Sequence, residues 1–141
     1  KSKKNKIGPF ELGADGSGAD ALQLPTGTNE IVMNGAKVLT FAMDVVPNNV
    51  NKLLKRIKIS KKNINKFIFH QASKYILDNI NRRLSITKSK TFENYGKVGN
   101  TISASIPIAL KDAIDAGKVS RGSKIITPFF LNLSIFDFTE K

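Results

Sequence analysis

Two segments, thirty residues apart, each join a strand-like apolar run to a helix-like run. The first reads Phe69-His70-Gln71-Ala72-Ser73, and the second reads Gly99-Asn100-Thr101-Ile102-Ser103-Ala104-Ser105. In an α/β layer, ligand sites form at the carboxyl ends of the strands, where such junctions lie. We therefore predict that both segments follow strands of one sheet and lie at the same edge of it.

The order of the predicted elements supports this α/β layer with a mixed or parallel sheet. Helical spacing begins after a possible Asn34 cap, and Pro47 either kinks that helix or opens a second one. Ser73 is the predicted cap of the next helix, and Pro107 places the start of a third helix near Ser105, with Thr101 and Ser103 as other candidates. The predicted elements, in chain order, are a turn at 13–18, a helix at 34–56, a strand at 65–69, a helix after Ser73, a connecting segment or short strand at 91–98, a helix from about Ser105 to Gly117, a strand at 124–127 and an apolar stretch at 135–138.

Composition narrows the classes of function. The 141 residues form one ordinary domain without cysteine, which excludes disulfides, thiolate metal sites and a cysteine nucleophile within this chain. No apolar run approaches the roughly 20 residues of a membrane-spanning helix, and no apolar signal region follows the basic start, so a cytoplasmic location is expected. The net charge is +12, but 19 of the 23 basic residues are lysines spread along the chain, so nucleic-acid binding is not favoured. Because the sequence does not begin with Met, a fragment is expected.

Each junction carries one side chain that can hydrogen bond an oxyanion: the imidazole of His70, the one histidine, and the carboxamide of Asn100. If they converge, they could hold a thioester carbonyl oxygen as it becomes an enolate. The dipole of the following helix should keep His70 neutral. The alternatives are a structural histidine and a turn or cap asparagine, and spacing alone does not decide between them.

A set of longer motifs carries a family resemblance. These motifs are Asp15-Gly16-Ser17-Gly18, Met33-Asn34-Gly35 with Val38, His70-Gln71-Ala72, Tyr95-Gly96, Gly99-Asn100-Thr101, Ser103-Ala104-Ser105-Ile106-Pro107, Ala109-Leu110 and Gly122. From about Gly13 to about Thr127 the chain resembles the C-terminal half of a β-ketoacyl-acyl carrier protein synthase III. The implied fold is α/β: the C-terminal half of a thiolase-like fold, a mixed sheet with helices packed on it. The implied organisation is a loop-rich lead-in at 1–30 and a condensing-enzyme domain at 31–141 with an atypical tail at 128–141.

The resemblance also implies an acyltransferase activity in fatty-acid biosynthesis and related lipid metabolism. Family members use a Cys-His-Asn triad, in which the Cys takes an acyl group from acyl-coenzyme A. The His and Asn bind the malonyl-carrier thioester, promote loss of carbon dioxide and stabilise the enolate, which attacks the acyl-cysteine. Here the His is His70 and the Asn is Asn100. The nucleophilic Cys would belong to an N-terminal half, so this chain alone is expected to be inactive.

Substrate and partner sites follow from the same resemblance. Gly35, Ala36, Leu39, Ala72 and Ser73 would line the tunnel for the phosphopantetheine arm of coenzyme A and carrier thioesters. Arg82 and Arg83 match a basic pair that docks the acidic acyl carrier protein; a solvated helix end is the alternative for them. The implied substrates are acyl-CoA and malonyl-carrier thioesters, with no permanently bound cofactor and no metal. A homodimer is expected, with no nucleic-acid partner and no membrane span.

Three departures from the family pattern leave another function open. Ser73 stands where many members have Asn, and Tyr75 stands where a basic residue is usual. No glycine follows Gly122, so the Gly-rich loop near the family's active site has no counterpart in the stretch from Thr127 to Asn132. The missing Cys and the missing loop favour the alternative of a catalytically inactive thiolase-fold subunit or a module that binds carrier protein.

Overall fold

A computed structural model describes residues 7–128 and 133–137 of the chain. Its first part is a turn followed by a hairpin. A 3-10 turn runs over Gly16–Ala21, and the Asp15 carboxylate caps its start by accepting the Ser17 backbone N–H at 3.0 Å. This turn confirms the turn predicted at 13–18. Strand β1 (Leu22–Gln23) then pairs antiparallel with β2 (Val32–Met33). This pairing crosses the predicted boundary at residue 30, and the predicted division into domains stays a prediction.

The first helix, α1 (Gly35–Ile57), runs without interruption through Pro47. Asn34 caps it as predicted, because its side-chain oxygen accepts the Lys37 backbone N–H at 3.1 Å. Proline has no N–H to donate four residues back, so Pro47 leaves the Met43 carbonyl without its helical donor. The Arg83 guanidinium donates to that carbonyl at 3.1 Å. This external donor explains why the helix continues through a buried proline.

A three-stranded mixed sheet forms the centre, in the order β3-β4-β5. Strand β3 (Lys66–Phe67) is parallel to β4 (Lys124–Pro128), and β4 is antiparallel to β5 (Leu133–Asp137). Strand β3 is shorter than the predicted 65–69, but backbone hydrogen bonds from Ile68 to Ile126 (2.9 Å) and from His70 to Pro128 (3.1 Å) continue along β4. The mixed sheet confirms the prediction for the fold class.

Helices cover both faces of this sheet. Phe67 and Phe69 belong to one core cluster with α1 and α2 (Lys74–Leu84), whereas Ile68 belongs to a second cluster with α4 (Ser105–Asp115). Successive side chains of an extended segment point to opposite faces, so the alternation at 67–69 separates the two clusters. The Phe67 and Phe69 rings stack on one face with their centroids 6.1 Å apart. No described helix combines the length and the apolar character that crossing a membrane requires.

The helix ends match the sequence signals in part. Ser73 caps α2, since its hydroxyl accepts the Ile76 backbone N–H at 3.3 Å. Helix α4 starts at Ser105, which confirms the predicted start, and its N-cap position, Ala104, supplies no side-chain cap. Its end lies just before Gly117, whose φ of 64° suits glycine and confirms the predicted stop.

Candidate functional site

His70 lies where the backbone hydrogen bonds of β3 to β4 end. Its N–H donates to the Pro128 carbonyl at 3.1 Å, and its own carbonyl accepts the Ala72 N–H at 2.9 Å. The side chain is half-buried, and its Nδ1 lies 2.7 Å from the Ser105 hydroxyl. The prediction that His70 follows a strand at the carboxyl edge of the sheet is confirmed.

The imidazole is in an environment that favours its neutral form. Burial lowers the pKa of His70 below its usual 6.5, and a hydrogen bond with the Ile102 backbone opposes this effect. The direction agrees with the expectation of a neutral donor. Burial is the largest cause of this shift, and the expected contribution of the helix dipole stays a prediction.

Asn100 does not follow a strand, so the prediction for its local setting is wrong. A short helix, α3 (Tyr95–Val98), precedes it, and Gly99 turns the chain with a φ of 69°. A strand cannot extend to Asn100 because these five residues have helical or left-handed backbone. The side chain is exposed, and its Oδ1 accepts the Ile102 backbone N–H at 3.0 Å. Within the described residues its amide nitrogen makes no hydrogen bond.

The two candidate donors meet at one short segment. Asn100 binds the backbone N–H of Ile102, and the His70 imidazole hydrogen bonds the backbone of that same residue. Ile102 has a φ of 50°, an unfavourable conformation for a β-branched side chain, and its side chain is 71% exposed. This turn brings the two polar side chains to one place, although the described residues show no direct hydrogen bond between them.

Gln71 is a site residue for which the sequence reasoning gave no role. Its side chain is fully buried, and its amide nitrogen donates to the carbonyls of Phe69 at 2.8 Å and Phe92 at 3.4 Å. Its amide oxygen accepts the Asn94 backbone N–H at 2.9 Å. Through these hydrogen bonds, Gln71 connects the end of β3 to Phe92 and Asn94 in the segment that leads to Asn100. A second polar residue, one position beyond the His70 that follows three buried apolar residues, was the signal for this role.

The residues predicted to line the pantetheine tunnel lie at two helix starts. Gly35 and Ala36 are exposed in the first turn of α1, and Leu39 is half-buried against the core. Ala72 and Ser73 are half-buried just after His70, and the Ser73 hydroxyl is occupied as the α2 cap. Among the described residues, no hydrogen bond joins the two groups, and their role in binding stays a prediction.

The predicted basic pair is divided by the structure. Arg82 is exposed, and no side-chain partner is found for it in the described part of the chain. Arg83 donates to the Met43 carbonyl and pairs with the Asp44 carboxylate at 2.6 Å. Both lie in the last turn of α2, where cations suit the helix dipole. Of the two arginines, Arg82 is the one whose charge is not already paired with another described residue.

Neither a metal nor the family's Gly-rich loop can be placed from the described residues. They contain no group of three histidine, cysteine, aspartate or glutamate side chains that could hold a metal ion. In the stretch expected to match the loop, Pro128 lies in β4, and its carbonyl accepts the His70 N–H. Residues 129–132, which complete the predicted departure, lie outside the described residues, as do 138–141.

Comparisons with known proteins identify close relatives of this arrangement. The family model described as 3-oxoacyl-[acyl-carrier-protein (ACP)] synthase III C terminal matches residues 54–130. The β-ketoacyl-[acyl-carrier-protein] synthase III of Natranaerobius thermophilus is 42% identical over 75% of this chain and 36% of its own length. The corresponding synthase of Pyropia yezoensis is 37% identical over 92% of this chain and 45% of its own.

Solved structures agree with the sequence comparisons. The crystal structure of 3-oxoacyl-[acyl-carrier-protein] synthase III from Aquifex aeolicus matches 96% of this chain and 45% of its own, at 31% identity and a TM-score of 0.85. The chain thus spans less than half the length of these relatives, and it has the fold of the C-terminal half of their thiolase-like structures. The chain belongs to the 3-oxoacyl-[acyl-carrier-protein] synthase III family and corresponds to its C-terminal domain.

Proposed function

We propose that this chain supplies the enolate-binding part of a condensing enzyme whose nucleophilic cysteine lies on the N-terminal half of that enzyme. The observation that carries the proposal is the meeting of His70 and Asn100 at the Ile102 turn. The neutral imidazole and the carboxamide would each donate an N–H to the carbonyl oxygen of a malonyl-carrier thioester. Loss of carbon dioxide leaves an electron pair on the substrate, and these two donors stabilise it as the enolate.

The condensation then needs a group that this chain lacks. The enolate carbon would attack the acyl group held as a thioester on the cysteine of the other half. A carbon–carbon bond forms, the carbon–sulfur bond of the acyl-cysteine breaks, and the thiolate is returned. The 141 residues contain no cysteine, so the acyl-enzyme cannot form on this chain.

An exposed apolar surface on the hairpin supports a partner of this kind. Leu22, Leu24, Ile31 and Met33, which we name the hairpin surface, are 55%, 61%, 70% and 63% exposed. Leu22 and Met33 are register partners in β1 and β2, and residues two apart share a face of an extended strand. A group of large exposed apolar side chains is typical of a surface that another chain covers. We propose that the cysteine-bearing half covers it, and that the chain alone associates with itself.

Reconstitution tests this proposal. The chain would be mixed with the N-terminal half of the Natranaerobius thermophilus relative, and complex size and condensation product measured by light scattering and mass spectrometry. We expect self-association of the chain alone, a one-to-one complex in the mixture, and product only in the mixture. Leu24→Ser with Ile31→Ser should weaken both kinds of association, whereas Tyr75→Ser, which changes another exposed side chain, should not. A chain that is monomeric alone and forms no complex with the other half would contradict the proposal.

The acidic carrier protein is the second proposed partner, and Arg82 is its proposed contact. Arg82→Ala should slow carrier association and reduce its salt dependence without changing stability, because charge complementarity acts mainly on the encounter rate.

Arg83→Ala should lower the free energy of unfolding by about 1 kcal/mol, because the Met43 carbonyl loses a donor at a partly exposed site. Stopped-flow binding and urea denaturation separate the two effects. Equal carrier association by both variants would contradict the assignment to Arg82.

A catalytically inactive carrier-binding subunit is the second candidate, favoured by the missing cysteine and by the absence of glycine after Gly122. Its distinguishing result is a reconstituted complex that binds carrier protein, forms no product, and binds equally well after His70→Ala.

A further inference from the structure

We propose that the Lys66 amine is a modification site, to which an acyl group is transferred from a thioester of coenzyme A. Lys66 begins β3, whereas His70 lies beyond the other end of that strand. The reagent belongs to the class of substrate proposed above, but the reaction uses no residue of the proposed function and does not depend on it.

A cavity of about 360 Å³ lies beside the start of β3, and lysines from three parts of the chain line it. Lys66 belongs to β3, Lys88 to a 3-10 turn, and Lys118 to the chain after α4. Glu93 is the acidic residue among the described residues of this lining, and Lys88 also pairs with the Asp78 carboxylate at 3.2 Å. The cavity therefore gathers more positive than negative charge.

The Lys66 amine is held at this cavity with its nucleophilic lone pair available. The side chain is half-buried, and its Nζ donates to the Ser89 backbone carbonyl. A neutral amine has two N–H groups and one lone pair, so this hydrogen bond uses an N–H and leaves the lone pair free. The contact with Ser89 therefore orients the amine without blocking its attack on a carbonyl carbon.

The surroundings of Lys66 favour its neutral form. Burial is the largest cause that lowers the pKa of Lys66 below its usual 10.5, and the charges of Lys118 and Lys90 lower it further. Lys90 is held in place, because its Nζ donates to the carbonyls of Lys62 at 2.7 Å and Ile64 at 2.6 Å. A lower pKa leaves a larger fraction of Lys66 neutral near pH 8, and the neutral amine is the nucleophile. The neighbouring lysines also attract the phosphate groups of coenzyme A.

The transfer is balanced without a further reactant. The Lys66 Nζ lone pair attacks the carbonyl carbon of the thioester, a carbon–nitrogen bond forms, and the carbon–sulfur bond breaks. The electron pair of that bond leaves with the sulfur of coenzyme A, and the proton lost by Nζ passes to the thiolate. The product is a neutral amide, so one positive charge is removed from the cavity.

Mass spectrometry of the full chain incubated with acetyl-coenzyme A tests the proposal. The initial rates of acetylation would be compared at Lys66 and at Lys52, an exposed lysine on α1. At pH 8 we expect Lys66 to react about tenfold faster, because its amine is more often neutral and the reagent is concentrated nearby. The preference should fall as the pH rises above the pKa of both amines, since both are then neutral. Equal rates at pH 8 would overturn the proposal.

Lys118→Gln tests the role of the neighbouring lysines, and its exposed position makes a folding defect unexpected. Removing this charge should reduce the preference for Lys66 by about threefold, the size of one charge interaction near the surface. Lys97→Gln, which changes an exposed lysine outside the lining of this cavity, should leave the preference unchanged. Equal preferences in the two variants would show that the lysines do not activate Lys66 and would overturn the proposal. No condensation is measured, so failure of the proposed function leaves this result intact.

Discussion

His70→Ala and Asn100→Ala should each slow malonyl decarboxylation by about 10²–10³-fold in the enzyme assembled from this chain and its cysteine-bearing half. Each substitution removes one N–H donor that acts on the oxygen only as it gains charge. Transfer of the acyl group to the cysteine should be affected much less, because that step does not form the malonyl enolate. Release of labelled carbon dioxide and mass spectrometry of the acyl-enzyme measure the two steps separately.

Asn51→Ala is the matched control for Asn100→Ala, since Asn51 is an exposed asparagine on α1 and is not among the site residues described above. It should leave both steps unchanged. Equal losses in decarboxylation and acyl transfer after His70→Ala would contradict the roles proposed here, because they would indicate general damage to the site.

Gln71→Ala should lower the free energy of unfolding by about 3 kcal/mol, because each buried polar group left without a partner costs about 1–3 kcal/mol. The groups affected are the Asn94 N–H and the carbonyls of Phe69 and Phe92. Urea denaturation of the full chain measures the change. The expected loss is large for a single side chain because Gln71 joins β3 to the segment that leads to Asn100.

Gln23→Ala provides the matched control, because Gln23 is exposed in β1. A surface substitution of this kind usually stays within about 0.5 kcal/mol. Similar stabilities for Gln71→Ala and Gln23→Ala would show that the buried hydrogen bonds of Gln71 contribute little to the fold.

The local features of the fold could be predicted from the sequence because their signals are local. Asn34 and Ser73 cap their helices through backbone N–H groups three residues away. The run Phe67-Ile68-Phe69 indicated a buried strand, and the structure extends its backbone hydrogen bonds to His70. The position of His70 at the edge of the sheet followed from that strand and the helix after it.

The setting of Asn100 could not be predicted in the same way. The sequence before it did not reveal the short helix at Tyr95–Val98, and a positive φ at Ile102 is against the preference of a β-branched residue. Ser105 was expected to begin a helix, which it does, but its contact with His70 joins residues thirty-five positions apart. Such contacts are set by tertiary packing, for which the local pattern carries no signal.

Arg83 illustrates the same limit for a charged residue. Its position in a basic pair at a helix end indicated a docking contact, but the structure directs it to the carbonyl that Pro47 leaves without a donor. Neither Pro47 nor Arg83 alone predicts this hydrogen bond, because it forms only when α1 and α2 pack together.

The central claim is that His70 and Asn100 act on the same oxygen, and a double-mutant cycle on decarboxylation tests it most directly. The rates of the unmodified enzyme, His70→Ala, Asn100→Ala and the double variant would be compared in the reconstituted complex. Residues that act as a unit give strongly non-additive losses, so we expect the double variant to be little slower than either single variant. A double variant whose loss is the full product of the two single losses would show that the residues act independently and would contradict the account.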